Sequence, residues 1–157
     1  MDRTMNKKNQ TEKLWSALTA LMASQNLAVL ATHDHGQPYT SLVAFASSSD
    51  LKQLFFVTGQ ATRKYANLKS DPRAAMMIDS RSNAPSDIAE AMAATATGSV
   101  DIVSGKALKK LKEIYLQKHP HLADFAASPS TRLIKLNVSC YYVVNRFQNV
   151  VELHIRK

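Results

Sequence analysis

The chain has 157 residues, of which 45% are hydrophobic, with only 4 glycines and 5 prolines. This composition is typical of one globular domain, here 1–157, and excludes a disordered or fibrous protein. The 20 basic and 12 acidic residues give a net charge of +8. That charge favours an anionic partner such as nucleic acid, an anionic lipid surface or a phosphorylated small molecule. Because the charges are spread along the chain, a diffuse basic surface is the simpler interpretation.

Cysteine usage and hydropathy indicate the compartment. Cys140 is the single cysteine, which excludes an internal disulfide framework and favours a reducing compartment. Residues 1–15 have neither the apolar segment nor the cleavage site of a secretory signal. No apolar run approaches the roughly 18 residues that span a bilayer. We therefore expect a cytoplasmic protein that does not act at a membrane, with 1–10 as a flexible N-terminal arm.

The first half of the chain predicts a helix and a three-stranded meander. Leucine and methionine recur at helical spacing over 11–24, with Asn9 or Thr11 as the cap. Short apolar runs bounded by turn residues predict strands at 27–32, 38–46 and 52–58, with turns at 33–36 and 47–50. Thr62 is suited to cap a short helix, which Asp71-Pro72 ends because the residue before proline disfavours helical geometry.

The second half alternates strands with one long helix. Strands are predicted at 74–78, 91–103, 133–142 and 147–155, with a polar loop at 81–87, a bulge or close backbone approach at Gly98, and a turn at Asn145-Arg146. Alternation over 133–142 places Cys140 and Tyr142 on the inward face. A helix at 106–118 is capped by Ser104 and ends at Pro120, with one further turn at 121–126.

Strands joined by short turns, with helices inserted at two points, predict a mainly β (α+β) fold. The expected architecture is an antiparallel barrel of six or seven strands with peripheral helices.

The sequence Thr62-Arg63-Lys64 places a hydroxyl group and two cations at the start of the short helix. An anion at a helix N-terminus meets unpaired N–H groups and the positive end of the dipole. Arginine adds a bidentate fork. The other interpretation is an ordinary capped helix with two solvated cations, and the local chemistry of these three residues alone favours it.

Other patterns that carry chemistry are incomplete. The pairs His33/His35 and His119/His121 lack further ligands, so we interpret them as turn or surface residues and expect no metal site. Cys140 is interpreted as inert packing, there is no nucleophile motif, and no two carboxylates are placed on one face of a single element. A nucleic-acid-binding barrel with Tyr141 and Phe147 as stacking residues is disfavoured, because basic and aromatic residues are not interleaved on any strand.

Three segments taken together resemble a known family. They are AVLATHDHGQPYTSLVAFA at 28–46, LFFVTGQATRKYANLKSDPRAAMMID at 54–79 and TATGSV at 95–100. Their order, spacing and turns resemble the FMN-binding split-barrel family related to pyridoxamine 5'-phosphate oxidase. The most specific part is a strand, Ser/Thr-Arg-Lys, a short helix with Asn-Leu, and Asp/Asn-Pro-Arg before the next strand. The resemblance implies a split barrel that binds FMN at a homodimer interface.

The resemblance also implies roles for individual positions. Thr62, Arg63 and Lys64 match the residues that hold the FMN phosphate. Val57 and Thr58 match the strand end that passes along the ribityl chain and ring, and Ser41, Leu42 and Val43 match the strand whose backbone lines the flavin. From placement alone, Arg81, Ser82 and Asn83 are candidates for the polar edge of the ring. Arg146 and Phe147 are candidates to reach in from the other subunit.

Some positions depart from the oxidase. Ser41 replaces an arginine, Ala93 replaces a glutamine that contacts the cofactor, and VELHIRK replaces an Arg-Leu-x-Pro type segment that holds the pyridoxal substrate. With Ser41 in place of arginine, the expected phosphate site has one cation fewer. Because the C-terminal segment also differs, pyridoxamine phosphate oxidation is not expected.

The expected function is that of an FMN-dependent oxidoreductase or flavin reductase acting on a small molecule, with NADH or NADPH as a candidate donor. No catalytic side chain is assigned, which suits direct hydride transfer and equally suits a protein that only carries FMN. Two alternatives stay open. One is a non-catalytic FMN or haem carrier, because haem-degrading relatives use a C-terminal histidine and His154 lies in that region. The other is a deazaflavin-dependent reductase, because such relatives have a similar Arg-Lys-Asn-Leu segment.

Overall fold

A computed structural model describes residues 2–146 and 148–156. Its strands are β1 Leu27–Asp34, β2 Gln37–Ser47, β3 Gln53–Gly59, β4 Arg73–Asp79, β5 Ala93–Ile102, β6 Thr131–Arg146 and β7 Asn149–His154. Its helices are α1 Asp2–Ser24, α2 Arg63–Ser70, α3 Asp87–Glu90, α4 Gly105–Lys118 and α5 Ala123–Ala127, with a 3₁₀ turn at Pro120–Leu122.

The strands form an antiparallel barrel that β6 closes. The sheet order is β3-β2-β1-β4-β5-β6-β7, and β3 also pairs with β6. Six strands therefore close the barrel, and β7 is an extra strand. One edge of the 16-residue β6 pairs first with β3, over 131–137, and then with β7, over 140–146. The predicted antiparallel split barrel with peripheral helices is confirmed.

A bulge interrupts the pairing of β5 with β6. Thr97 lies opposite Cys140 and Gly98 lies opposite Val138, so Ser139 is an extra residue on β6. Such a residue reverses the alternation of faces beyond it. Tyr141 is consequently buried in the barrel core, and Tyr142 is 37% exposed.

The bulge corrects two sequence predictions. Cys140 and Tyr142 do not face the barrel core, because the extra residue turns them to the outer face. Cys140 is buried but belongs to neither apolar cluster of the described residues. Tyr141 is fully buried and donates to the Leu51 carbonyl oxygen at 2.6 Å, so its ring is not available to stack on a base. The irregularity predicted at Gly98 is confirmed.

Two apolar clusters stabilise the fold. The first fills the barrel and receives the apolar side of α1, which consists of Leu14, Leu18, Leu21 and Met22. The second lies outside the barrel, between β3, the start of β6, α4 and α5. The predicted start of α1 is wrong, since the helix begins at Asp2. The Thr11 hydroxyl donates to the Lys7 carbonyl oxygen at 3.0 Å within the helix instead of capping it.

His119 is not the surface residue that the sequence predicts. It is 1% exposed, and its Nε2 lies 2.7 Å from the Phe45 carbonyl oxygen, to which it donates. Beside it, the Lys118 ammonium donates to the Met22 carbonyl oxygen at 2.8 Å and lies 4.0 Å from the centre of the Phe45 ring. Burial lowers the pKa of Lys118 to about 8. These contacts join the ends of α1 and α4 to β2.

Smaller boundaries also differ from the predictions. Arg146 is the last residue of β6 and pairs with Asn149, so Asn145 and Arg146 belong to a strand and do not form the predicted turn. Ser104 precedes α4, but its side chain makes no capping hydrogen bond. Among the described residues, no helix is both long and apolar enough to cross a membrane.

We expect Gly98→Ala to destabilise the protein strongly. A Cβ atom at Gly98 would overlap the backbone carbonyl oxygen of Asn137, and backbone atoms cannot move aside without breaking the β5–β6 pairing. We expect a loss of about 2–3 kcal/mol in the free energy of unfolding, measured by urea denaturation.

Gly59→Ala is the matched control, because its nearest atom would be the Thr62 Cγ2 at an ordinary 3.7 Å. It should change the stability by no more than about 1 kcal/mol. Equal stability of the two variants would show that the close approach at Gly98 does not constrain the barrel.

Candidate functional site

The turn between β3 and α2 is built around Thr62. As predicted, Thr62 caps α2: its Oγ1 accepts from the Tyr65 N–H at 3.3 Å. The hydroxyl donates to the Gly59 carbonyl oxygen at 2.8 Å and lies 3.1 Å from the Thr58 hydroxyl. Because its single proton is engaged within the turn, Thr62 shapes the loop. The first backbone N–H groups of α2 point out of the helix without intrahelical partners, ready for an anion.

Two cations follow the cap. Arg63 and Lys64 are the first two residues of α2, and the Arg63 guanidinium carbon lies 5.6 Å from the centre of the Tyr39 ring on β2. Within the described part of the chain, no ion pair involves Arg63 or Lys64. Their positive charges add to that of the helix N-terminus.

Buried hydrogen bonds fix α2 against the barrel. The Asn67 amide donates to the Thr32 hydroxyl of β1 at 3.0 Å, and both residues are buried. At the other end of α2, Asp71 accepts from Arg73 at 2.6 Å and lies 3.0 Å from His33 Nε2. The Arg73 guanidinium holds the pKa of Asp71 well below its usual range. A cavity of about 430 Å³ borders His33 and Arg73.

Asn67 and Tyr39 are the residues of this site that sequence reasoning missed. Asn67 lies between the buried Tyr65 and Leu68, and a polar residue within the apolar face of a helix is a usable signal of a buried hydrogen bond. The contact of Tyr39 with Arg63 joins two elements distant in the chain, and no local pattern indicates it.

The β2 residues of the predicted flavin wall have three different environments. The Ser41 hydroxyl oxygen is buried and has no hydrogen-bond partner among the described residues. Val43 packs in the barrel core, whereas Leu42 is 64% exposed on the outer face. Of the β3 residues, Thr58 is buried beside Thr62, and Val57 packs in the cluster beneath α4, so Val57 offers only its backbone.

The remaining predicted residues lie at the other end of the barrel. β4 leads from Arg73, next to the end of α2, to Asp79, which pairs with Ala93 and through it with Val144. The loop 81–83 and Arg146 therefore share an end remote from α2 within one chain. Phe147 lies outside the described residues.

The loop at 81–83 is also occupied with its own contacts. Arg81 pairs with Asp79 at 3.1 Å, and Ser82 donates to Asp87 through its backbone at 2.8 Å. Asn83 adopts a left-handed backbone conformation with φ of 63°. The structure thus brings together Thr58, Thr62, Arg63 and Lys64, with Arg63 against Tyr39 of β2, and leaves Arg81, Ser82, Asn83 and Arg146 apart.

The outer face of β1, β2 and β4 is apolar. Leu42 lies opposite Val29, which also pairs with Met77 of β4. Leu27 on the same face is 54% exposed, and Leu42 is 64% exposed. Large exposed apolar side chains that share one sheet face are typical of an interaction surface.

Residues 14–145 match the family model of pyridoxamine 5'-phosphate oxidase. The match covers most of the chain, so the chain belongs to this family. A search of curated proteins found no match.

Solved structures show the same fold at low sequence identity. A heme binding protein from Mycobacterium smegmatis superposes with a TM-score of 0.78 at 20% identity, covering 87% of this chain and 55% of that one. The heme storage protein HutZ from Vibrio cholerae gives 0.72 at 15%, covering 83% and 93%. An FAD-binding protein from Mesorhizobium loti gives 0.64 at 15%, covering 81% and 89%. This chain thus spans about half the length of the Mycobacterium protein.

Proposed function

We propose that the protein is an FMN-dependent oxidoreductase or flavin reductase that binds FMN at the interface of a homodimer. The observation that carries this proposal is the start of α2, where two cations follow a capped helix terminus and have no carboxylate partner among the described residues. Membership of the pyridoxamine 5'-phosphate oxidase family supports it, as does the FAD-binding protein of the same fold.

The residues at α2 fit a phosphate group. Arg63 provides a planar fork of donors and Lys64 a mobile point charge, while the first N–H groups of the helix add directed donors. Thr58 and Thr62 hold the turn that presents them. Ser41 lies opposite the buried Leu30, and its hydroxyl is buried on the core side of β2, so in the proposed site Ser41 would line the flavin through its backbone.

Bound FMN would supply the electron transfer. The chain's own contribution would be to hold the phosphate at α2 and to line the ring with the backbone of Ser41, Leu42 and Val43. The residues remote from α2, Arg81, Ser82, Asn83, Arg146 and Phe147, belong to this site only if a second chain brings them there. That arrangement is part of the proposal.

The apolar outer face of β1, β2 and β4 supports the homodimer. Leu27 and Leu42 would lose most of their exposed surface against a second copy, at roughly 25 cal/mol for each Å² removed from water. Leu42 belongs to the β2 segment whose backbone is predicted to line the flavin, so a second copy packed on this face would lie beside the proposed cofactor site.

We expect Arg63→Ala combined with Lys64→Ala to abolish retention of FMN while the fold stays intact. Each charge-assisted hydrogen bond to phosphate contributes about 1.5–3 kcal/mol, so the loss of affinity should be roughly 100-fold or more. Flavin fluorescence titration measures it. Riboflavin, which lacks the phosphate, isolates the phosphate contribution: the native protein should prefer FMN, and the variant should bind both equally.

The control is Lys109→Ala with Lys110→Ala, which removes two exposed cations from α4 and lowers the net charge equally. It should retain FMN. Undiminished FMN affinity in the α2 variant, or equal loss in both, would refute a phosphate site at α2.

We expect Leu42→Asp to convert the dimer to a monomer and to weaken FMN binding with it, because a carboxylate would be desolvated in the interface. Light scattering coupled to size exclusion measures the mass. Ile88→Asp is the control, since Ile88 is 76% exposed on α3. A dimeric Leu42→Asp protein would place the interface elsewhere.

A reductase and a carrier differ in their response to a donor. We expect the yellow purified protein to bleach when NADH or NADPH is added without oxygen. A flavin absorption spectrum that does not change when NADH or NADPH is added would favour a carrier. Mass analysis of the extracted cofactor separates FMN from deazaflavin and haem, and only FMN agrees with the proposal.

A further inference from the structure

A cluster of metal-binding side chains lies on the outer face of β6 and β7. Cys140 lies directly opposite His154 in the strand pairing, and Glu152 lies opposite Tyr142 on the same face. One ligand atom from each of Cys140, Glu152 and His154 falls within 4.8 Å of the others. The bulge at Ser139 produces this arrangement, because it turns Cys140 from the barrel core to the face that β7 shares.

The three ligand atoms need only small rotations to surround one ion. Tetrahedral coordination with one sulfur and one nitrogen ligand places those atoms about 3.5 Å apart. His154 Nε2 and Glu152 Oε2 are already 3.1 Å apart. Cys140 is 5% exposed and held in place, whereas the side chains of His154 and Glu152 are 71% and 54% exposed and free to turn towards it.

The chemistry of the set selects the kind of ion. A thiolate and an imidazole favour zinc and similar divalent transition metals over magnesium or calcium, which prefer oxygen ligands. Cys140, on losing its proton to solvent, and Glu152 supply two negative charges that balance a divalent ion. Three protein ligands leave the fourth position open. Glu152 and His154 also line an open groove of about 710 Å³ bordered by Trp15, Asp50 and Lys52.

We propose that Cys140, Glu152 and His154 form a binding site for a divalent transition metal ion, with Zn²⁺ as the best match, on the outer face of the β6–β7 hairpin. Within one chain the site is separate from the start of α2: α2 follows the end of β3, where Gly59 pairs with Thr131 at the start of β6, whereas Cys140 lies in the later part of β6 that pairs with β7.

Titration of the metal-stripped full-length protein with Zn²⁺ by calorimetry tests the site, and Co²⁺ serves as a spectroscopic probe. We expect one ion per chain and a thiolate-to-cobalt charge-transfer band in the near ultraviolet. Cys140→Ser, Glu152→Gln and His154→Gln should each weaken Zn²⁺ binding by about 100-fold or more, since even an outer-shell partner is worth 10–100-fold. Glu152 and His154 are exposed, so their loss leaves the fold intact.

His35→Gln is the matched control. It removes an exposed histidine that also lies beside a carboxylate, with Nδ1 2.7 Å from Asp34 Oδ1, but has no thiol partner in the described chain. This variant should bind Zn²⁺ like the native protein. The proposal is overturned if the native protein binds no stoichiometric ion, if Cys140→Ser binds as tightly, or if His35→Gln weakens binding as much as His154→Gln.

Discussion

β5 pairs with β6 at an unusually short distance at Gly98, where a bulge interrupts the pairing. β6 belongs both to the closed barrel and to the β6–β7 hairpin. Before the bulge, one edge of β6 pairs with β3 and closes the barrel; after it, the same edge pairs with β7. The extra residue, Ser139, falls between these two segments. Because the bulge reverses the faces, Tyr141 enters the core and bonds the Leu51 carbonyl, while Cys140 joins the outer face. The position of Tyr141 in the core and that of Cys140 on the outer face are thus consequences of one backbone irregularity.

The start of α2 stands out from a generally basic surface because its two cations form no ion pair within residues 2–146 and 148–156. A net charge of +8 spread over the chain raises the potential everywhere and defines no site. Asp71, the acidic residue at the end of α2, is engaged by Arg73 and His33. Arg63 and Lys64 therefore add their charges to the positive end of the α2 dipole. The buried Asn67–Thr32 hydrogen bond fixes this helix to β1.

Local patterns predicted the strands and the Thr62 cap because each depends on residues close in the chain, and a glycine within a strand pattern was enough to indicate the irregularity at Gly98. The length of α1 could not be predicted from Thr11. A threonine can cap a helix or, as here, donate its hydroxyl to the carbonyl oxygen four residues earlier within the helix, and the local sequence does not distinguish the two. The positions of Cys140 and Tyr142 depend on which strand receives the extra residue, and period-two alternation holds no information about that. His119 reaches Phe45 across 74 residues, and only the assembled fold decides its burial.

The candidate site was likewise predictable in part. Thr62, Arg63 and Lys64 form a continuous motif, and the structure keeps them together. Arg81, Ser82, Asn83 and Arg146 came from placement along the chain, and the strand register puts them at the opposite end of the barrel. Their use in one site requires a symmetry operation that the sequence of a single chain does not encode.

The environment of Ser41 suggests how the two ends of the proposed flavin site differ. The Ser41 hydroxyl is buried on the side of β2 that carries the core residues, in register with Leu30 and Met76, so Ser41 would meet the flavin only through its backbone. In the proposed site, a serine at this position would leave the phosphate to Arg63, Lys64 and the helix N-terminus alone. The phosphate end would then be held by charges within one chain. The ring end would depend on Leu42 and on whatever the second chain adds, so substrate choice would be decided by the dimer.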